Sequence, residues 1–139
     1  MSSVAYRHFN ARDWKSVQDF LAGQGEPADH AGAVLATEQV EAWVAMDDGE
    51  VVGWILTRPM TSEDGAKLGG IEDIVVAGSH RGRGIGRKLM ELAESHYRER
   101  GFQGMQLTVD AGNKAALHLY ESLGYATVLH RLRMRKRFE

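Results

Sequence analysis

The stretch Ile71-Glu72-Asp73-Ile74-Val75-Val76-Ala77-Gly78-Ser79-His80-Arg81-Gly82-Arg83-Gly84-Ile85-Gly86 decides how this chain is read. Its first part is apolar enough for a strand, and its last part is a turn rich in arginine and glycine. An amphipathic helix follows at once, with Ile85, Leu89, Leu92, Ala93 and His96 at helical spacing. A strand that ends in such a turn and opens a helix aims several backbone N–H groups at one point, at the positive end of the helix dipole. That point suits a phosphate or pyrophosphate, and the glycines let it approach the backbone with no Cβ in the way. The expected ligand is a phosphate-bearing cofactor.

Two common phosphate motifs do not match. A P-loop needs Gly-x-x-x-x-Gly-Lys-Ser/Thr, whereas Gly86 is followed by Arg87, Lys88 and Leu89. A dinucleotide fold needs Gly-x-Gly-x-x-Gly, whereas Gly82, Gly84 and Gly86 form Gly-x-Gly-x-Gly. The turn also comes after a hairpin pattern, not after a first parallel strand.

The chain around it has 139 residues, enough for one domain with a real core. Hydrophobic content of 43% and charged content of 26% are ordinary for a globular protein. A net charge of -2 argues against nucleic acid as the main partner. The lack of cysteine excludes disulfides, a cysteine nucleophile and thiolate metal sites, and is compatible with a reducing cytosol. Residues 1–8 hold no long apolar run, so no signal peptide is expected. Nothing approaches the ~18 apolar residues of a membrane span. A cytoplasmic protein with no membrane partner is the expectation.

Local patterns give the element order. Val4–His8 reads as a strand, and Asn10 with Asp13 as a variant capping box for a helix with Trp14, Val17 and Leu21 on one face. Gly23–Ala36 reads as irregular, with room for a short helix. The runs Glu41–Met46 and Val51–Thr57 flank Asp47-Asp48-Gly49-Glu50, a hairpin signal. Met60–Leu68 reads as a polar loop and Gly69–Ala77 as a strand. Gly101 ends the helix after the glycine turn; Met105, Leu107 and Val109 then alternate as in a strand. Asn113 caps a last helix through Leu123, stopped by Gly124. The tail Tyr125–Phe138 reads as extended, one bent strand or a tight hairpin. Its Arg131–Arg137 stretch would put Leu132, Met134 and Phe138 on a packed face and arginines in water; the sharper alternative is a contact for an acidic substrate or a partner subunit. The fold class is α+β, a mixed sheet with helices packed on it.

Two motifs together carry a resemblance. Arg81-x-x-Gly84-x-Gly86, with Val76 in the strand before it, resembles the acetyl-CoA signature of the GCN5-related N-acetyltransferase (GNAT) family. Asn113-x-x-Ala116-x-x-x-Tyr120-x-x-x-Gly124-Tyr125 is similar to that family's later motif, at the usual separation. The resemblance covers the element order from residue 4 to 138. It implies a single GNAT domain over residues 1–139, with a central, mostly antiparallel mixed sheet flanked by helices. It also implies transfer of an acetyl group from acetyl-CoA to a primary amine of a small molecule or peptide, by direct attack in a ternary complex.

Carried over residue by residue, the resemblance implies the following roles. Backbone N–H groups of residues 82–87, that is Gly82, Arg83, Gly84, Ile85, Gly86 and Arg87, hold the pyrophosphate, and Arg81 and Arg83 add charge. The pantetheine arm pairs with the strand edge at Ile74, Val75 and Val76, and the Val76 N–H polarises the thioester carbonyl. Tyr120 is the general acid for the departing thiolate, since a phenol with an ordinary pKa of about 10 keeps its proton at neutral pH. Its plainer reading is a packing residue beside Ala116 and Leu123. Asn113 both caps its helix and contacts the cofactor arm. Glu72 is the candidate base, acting directly or through a water. In a regular strand Glu72 and Asp73 point to opposite faces, so only one reaches the substrate, and a bulge would exchange them.

His80, His96 and His118 form no ligand spacing we recognise, so no metal is expected and none of them is assigned a role. Lys88 and Lys114 read as solvated, and Trp43 and Trp54 as core residues in preference to an acceptor site. Acceptor choice falls to Gly23–Ala36, Met60–Leu68 and the tail. Two other functions compete: an acyl-CoA-binding regulatory domain with little or no catalysis, and a transferase for protein substrates with a wider groove. Family habit alone adds a homodimer.

Overall fold

Asp48 and Gly49 both adopt left-handed backbone, at φ 51° and 79°. Positive φ at both central residues is what a two-residue hairpin of matching twist requires, and the Asp-Gly pair supplies it. The turn joins β2 (Glu41–Asp47) to β3 (Glu50–Thr61), with Asp47 opposite Glu50. This hairpin is the centre of the sheet. In the computed structural model, which describes residues 3–37, 39–129 and 132–138, the chain divides into two compact units, residues 1–108 and 109–139.

The first unit holds a five-stranded sheet in the order β1-β2-β3-β4-β5, with β1 (Ala5–His8), β4 (Lys67–Val76) and β5 (Gly104–Gln106) completing it. All neighbours are antiparallel except β4 and β5, which run parallel. Helices α1 (Trp14–Gly23) and α2 (Asp29–Leu35) precede β2, and α3 (Ile85–Glu99) joins β4 to β5. The expected mixed, mostly antiparallel sheet with packed helices is therefore present.

Successive residues of a strand face opposite sides, and β3 shows which helix takes which side. Gly53 faces α3, where a Cβ would lie 3.0 Å from Ile85 and 3.3 Å from Leu89. Thr57 shares that face and its hydroxyl meets the Tyr97 hydroxyl of α3 at 2.8 Å. Trp54 faces the other way, against Trp14 of α1 and Phe9. The apolar stripe of α3 is the expected one, with Ile85, Leu89, Ala93 and His96 buried and Met90 and Tyr97 added. Trp43 and Trp54 are both core. Burial pushes the His96 imidazole below its ordinary pKa.

Cap chemistry sets the ends. Asn10 accepts from Arg12 N and Asp13 reaches back to Asn10 N, the anticipated capping box, here on a short 3-10 turn that leads into α1. Gly101 at φ 80° lets Phe102 N bond to Tyr97 O and Gly101 N to Arg98 O, a Schellman ending for α3.

The short helix allowed for in Gly23–Ala36 is α2. Three expectations are corrected. The Met60–Leu68 loop is shorter: β3 continues to Thr61 and β4 starts at Lys67, around a turn in which Ser62 accepts from Ala66 N and pairs with Asp64. The strand expected across Met105, Leu107 and Val109 stops at Gln106, because its parallel pairing ends at Gly70 opposite Gln106. The tail forms no strand among the described residues, and Leu132, Met134 and Phe138 are 85%, 88% and 88% exposed, not packed. Alternation alone cannot make a strand without a ladder partner. Arg131 lies outside the described residues.

The second unit contains α4 (Lys114–Ser122), capped by Asn113, whose side chain accepts from Ala116 N at 3.2 Å. Gly124 at φ 94° ends it, with Tyr125 N bonded to Tyr120 O. No helix among the described residues is long and apolar enough to cross a membrane.

Candidate active site

The glycine turn is built for positive φ: Gly82 and Gly84 sit at 80° and 77°. Gly84 is the N-cap of α3, and its carbonyl accepts the first helical bond from Lys88 N at 3.0 Å. A glycine cap has no side chain to bond to the first N–H groups, and no acidic residue occupies the first turn. The positive end of the α3 dipole therefore lies at this turn, flanked by the exposed Arg81 and Arg83. A Cβ on Gly82 or Gly84 would meet nothing within 4 Å, so backbone conformation, not crowding inside the protein, calls for glycine here.

The turn is anchored from behind. The His80 Nε2 lies 2.7 Å from Asp47 Oδ2 and its Nδ1 2.8 Å from Ser79 Oγ. Gly78 N donates to Gln24 Oε1 at 2.9 Å. His80, which received no role from sequence, thus ties the turn to the end of β2. Nothing local in the sequence pairs it with Asp47, 33 residues earlier.

Strand β4 carries the second feature. Leu68, Gly69 and Gly70 pair with β5, but beyond Gly70 the β5 side of β4 has no strand partner among the described residues. Ile74, Val75 and Val76 lie on this stretch, half-buried, and their other side is laddered to β3 through Gly53, Trp54 and Ile55. An open edge of this kind can accept one more extended chain.

The carboxylates differ from expectation. Leu56 pairs with Asp73 and Thr57 with Ile71, so Glu72 is the extra residue of a bulge in β4. A bulge lets two consecutive side chains share a face. Glu72 Oε2 meets His30 Nε2 of α2 at 3.0 Å and its Oε1 accepts from Arg58 Nε at 2.7 Å. Asp73 Oδ2 accepts from Trp54 Nε1 at 3.0 Å. Both carboxylates thus address the side of α1 and α2: the strand is not regular here, and the bulge puts the pair on one face where it was expected only to exchange them. Burial raises the Asp73 carboxyl above the usual carboxylate range; Glu26 pushes the same way, while Trp54 and His30 oppose it.

An open cleft of about 280 Å³ lies where β4 and β5 part, lined among others by His30, Glu72, Gln106 and Thr108. Its wall is therefore polar and contains the candidate base. Asn113 and Tyr120 belong to the second unit. There the half-buried Tyr120 ring lies 6.1 Å from that of Tyr125, tilted by 58°. Taken together, residues 82–87 can hold a diphosphate, the β4 edge can hold an extended arm, and the cleft can hold a small polar acceptor.

Comparison with known proteins identifies the family. The sequence model of the Acetyltransferase (GNAT) family matches residues 9–125. The mycothiol acetyltransferase of Thermomonospora curvata is 34% identical over 111 residues, covering 79% of this chain and 33% of that protein. The streptothricin acetyltransferase of Streptomyces lavendulae is 50% identical over 56 residues, 40% of this chain and 30% of that protein. The chain spans about a third of the length of the curated relatives it matches, 33% and 35% for two of them. Among solved structures, AAC(6')-Iy in complex with the bisubstrate analog CoA-S-monomethyl-acetylneamine superposes with a TM-score of 0.81, at 22% identity, over 99% of this chain and 100% of that one. At that identity the likeness speaks for the fold.

Proposed function

Because the chain belongs to the GNAT acetyltransferase family, we propose that it is an acetyl-CoA-dependent N-acetyltransferase for a small-molecule amine, acting as one domain over residues 1–139. The observation that carries this reading is the glycine turn: two left-handed glycines before a long helix whose N-terminus no side chain caps, beside an open strand edge. A diphosphate with an extended arm fits both features at once. When bound, acetyl-CoA supplies an activated acyl thioester and a thiol as leaving group.

The chain's own residues then have these assignments. The N–H groups of residues 82–87 and the charge of Arg81 orient the diphosphate. The backbone of Ile74, Val75 and Val76 aligns the arm, with the Val76 N–H as donor to the acyl oxygen. Glu72 takes the proton of the incoming ammonium, directly or through a water, since a neutral amine is the nucleophile. Its bonds to Arg58 and His30 fix the carboxylate on the cleft wall. Tyr120 returns a proton to the leaving thiolate, and Asn113 orients the arm. The carboxylates Glu26, Glu72 and Asp73 on the same side favour a cationic acceptor. The names of the relatives, mycothiol and streptothricin acetyltransferase, agree with a small-molecule acceptor.

The test is calorimetric titration with acetyl-CoA, then thiol release against polyamines, amino acids, aminoglycosides, amino sugars and N-terminal peptides. Binding with turnover of one amine class supports the reading and names the acceptor. Binding without turnover on any amine favours a regulatory acyl-CoA-binding domain. Absence of binding refutes it.

A further inference from the structure

Three side chains from three separate elements meet on the α3 side of the sheet, at the opposite end of β2 from the Asp47 anchor. They are His8 at the end of β1, Glu41 at the start of β2 and His96 near the end of α3. Each offers one donor atom, and no two of these atoms are further apart than 4.8 Å. The Glu41 carboxylate turns one oxygen to each ring: Oε2 lies 3.9 Å from His8 Nε2, and Oε1 lies 3.7 Å from His96 Nε2.

Those separations are too long for hydrogen bonds, which run at about 2.7–3.2 Å. They are close to the spacing of ligands around a first-row divalent ion. Bonds of roughly 2.0–2.2 Å at tetrahedral angles put neighbouring donors about 3.3–3.5 Å apart. A few tenths of an ångström of closure brings each carboxylate–imidazole pair to that value. The wider of the two separations is at His8, whose side chain is 65% exposed.

The surroundings hold the rings ready. Trp43, a core residue, lies against both of them: its ring centroid is 5.0 Å from that of His8 and 5.3 Å from that of His96. Tyr97 packs edge-on against His96 at 5.1 Å. Oriented ligands on rigid elements are what a metal site needs from its outer shell. The other charges close by are Arg100, whose guanidinium donates to the His96 carbonyl at 3.1 Å, and Glu99. They are of opposite sign, so neither decides the field alone.

We propose that His8, Glu41 and His96 form a binding site for a divalent transition-metal ion of the zinc class, separate from the acetyltransferase site. Two imidazoles and one carboxylate suit Zn²⁺, Co²⁺ or Ni²⁺ and not Mg²⁺ or Ca²⁺, which take all-oxygen sets. The exposed position of His8 leaves the remaining coordination place to water. The ion joins the edge strand β1 to β2 and α3, so its effect is to hold the edge of the sheet.

The test uses the full chain, freed of metal by a chelator and gel filtration. ZnCl₂ is titrated calorimetrically, and CoCl₂ by visible absorption. The expected result is one equivalent bound, a four-coordinate Co²⁺ spectrum, and a Tm raised by roughly 5–10 °C at a hundredfold excess over Kd. His8→Ala and Glu41→Gln each weaken Zn²⁺ binding at least about tenfold, whereas His118→Ala leaves it unchanged. Glu41→Gln keeps the shape of the side chain, so it serves even where His8→Ala alters the edge strand. No uptake at millimolar Zn²⁺, or uptake indifferent to both substitutions, overturns the proposal.

Discussion

Gly69→Ala tests how closely α3 is seated on the sheet. A Cβ at Gly69 would lie 2.6 Å and 2.7 Å from Cδ2 and Cγ of Tyr97 and 2.8 Å from Met105 Sδ. Carbon atoms in contact prefer about 3.5–4.0 Å, so the overlap is close to 1 Å. Met105 is flexible and can swing away. Tyr97 cannot. Its Cγ sits next to the helix backbone, its hydroxyl is bonded to Thr57 at 2.8 Å, and its ring is flanked by His96 and Phe102 at 5.1 Å each.

Either β4 backs away from α3 or the Tyr97–Thr57 bond is lost. Overpacking of this kind costs about 1–3 kcal/mol, and losing the buried hydrogen bond adds ~1 kcal/mol. The gain from a stiffer unfolded chain is about 0.4–1 kcal/mol. The expected net loss is about 2 kcal/mol, or a Tm lower by roughly 6–10 °C in a chain of this size. Equilibrium urea unfolding measures it, with the m-value unchanged. Tyr97→Leu placed on top of Gly69→Ala removes the overlapping ring atoms, so the double variant is more stable than additivity allows. A loss below about 0.5 kcal/mol, or strict additivity, refutes the assigned contact.

Further tests address the site itself. Gly84→Ala costs about 1 kcal/mol of stability from its left-handed backbone alone, yet weakens acetyl-CoA binding more than tenfold; urea unfolding beside calorimetry separates the two, and an unchanged Kd removes the turn from the cofactor site. Tyr120→Phe lowers kcat by about 10²-fold or more with little change in acetyl-CoA affinity, and steady-state kinetics showing an unchanged kcat would sink its role as acid. Glu72→Gln keeps an acceptor for Arg58 but not a base, so activity falls at neutral pH and recovers in part at high pH, where amines deprotonate unaided; a pH–rate profile decides this. Asp73→Asn tests the pH dependence of stability: with the folded pKa raised, the folded state binds the proton more readily, and stability falls as pH rises between the unfolded and folded values. The variant lacks that fall, so its urea midpoint drops less than the parent's as pH rises through that window, and an equal or larger drop contradicts the sign.

What could be read from sequence was what short-range chemistry determines. The Asp48-Gly49 turn, the Asn10 and Asn113 caps and the Gly101 ending depend on residues within a few positions, and each is found where expected. The glycine turn opening α3 is also expected from local sequence; that Gly84 is the left-handed N-cap is a finding of the structure. What could not be read depends on partners far along the chain. His80 finds Asp47, and Glu72 finds His30 and Arg58, across loops that no periodicity encodes. The tail misled because Leu132 and Met134 alternate with arginines as strand residues do, while a strand also needs a neighbour to bond to.

The bulge at Glu72 shows why this matters for the site. A regular β4 would turn Glu72 and Asp73 to opposite faces. The extra residue turns both toward α1 and α2, where one meets His30 and the other Trp54. The same residue lies two positions after the last stretch of β4 that pairs with β5, which ends at Gly70. A bulge bends and twists its strand, and here the bend falls where the two strands part and the cleft opens. The bulge thus sets a carboxylate on the cleft wall beside the free strand edge that leads to the glycine turn, two features that the proposed chemistry needs side by side. Glu72 therefore has a positional role beyond its charge. Glu72→Gln isolates the charge, because it leaves the bulge in place.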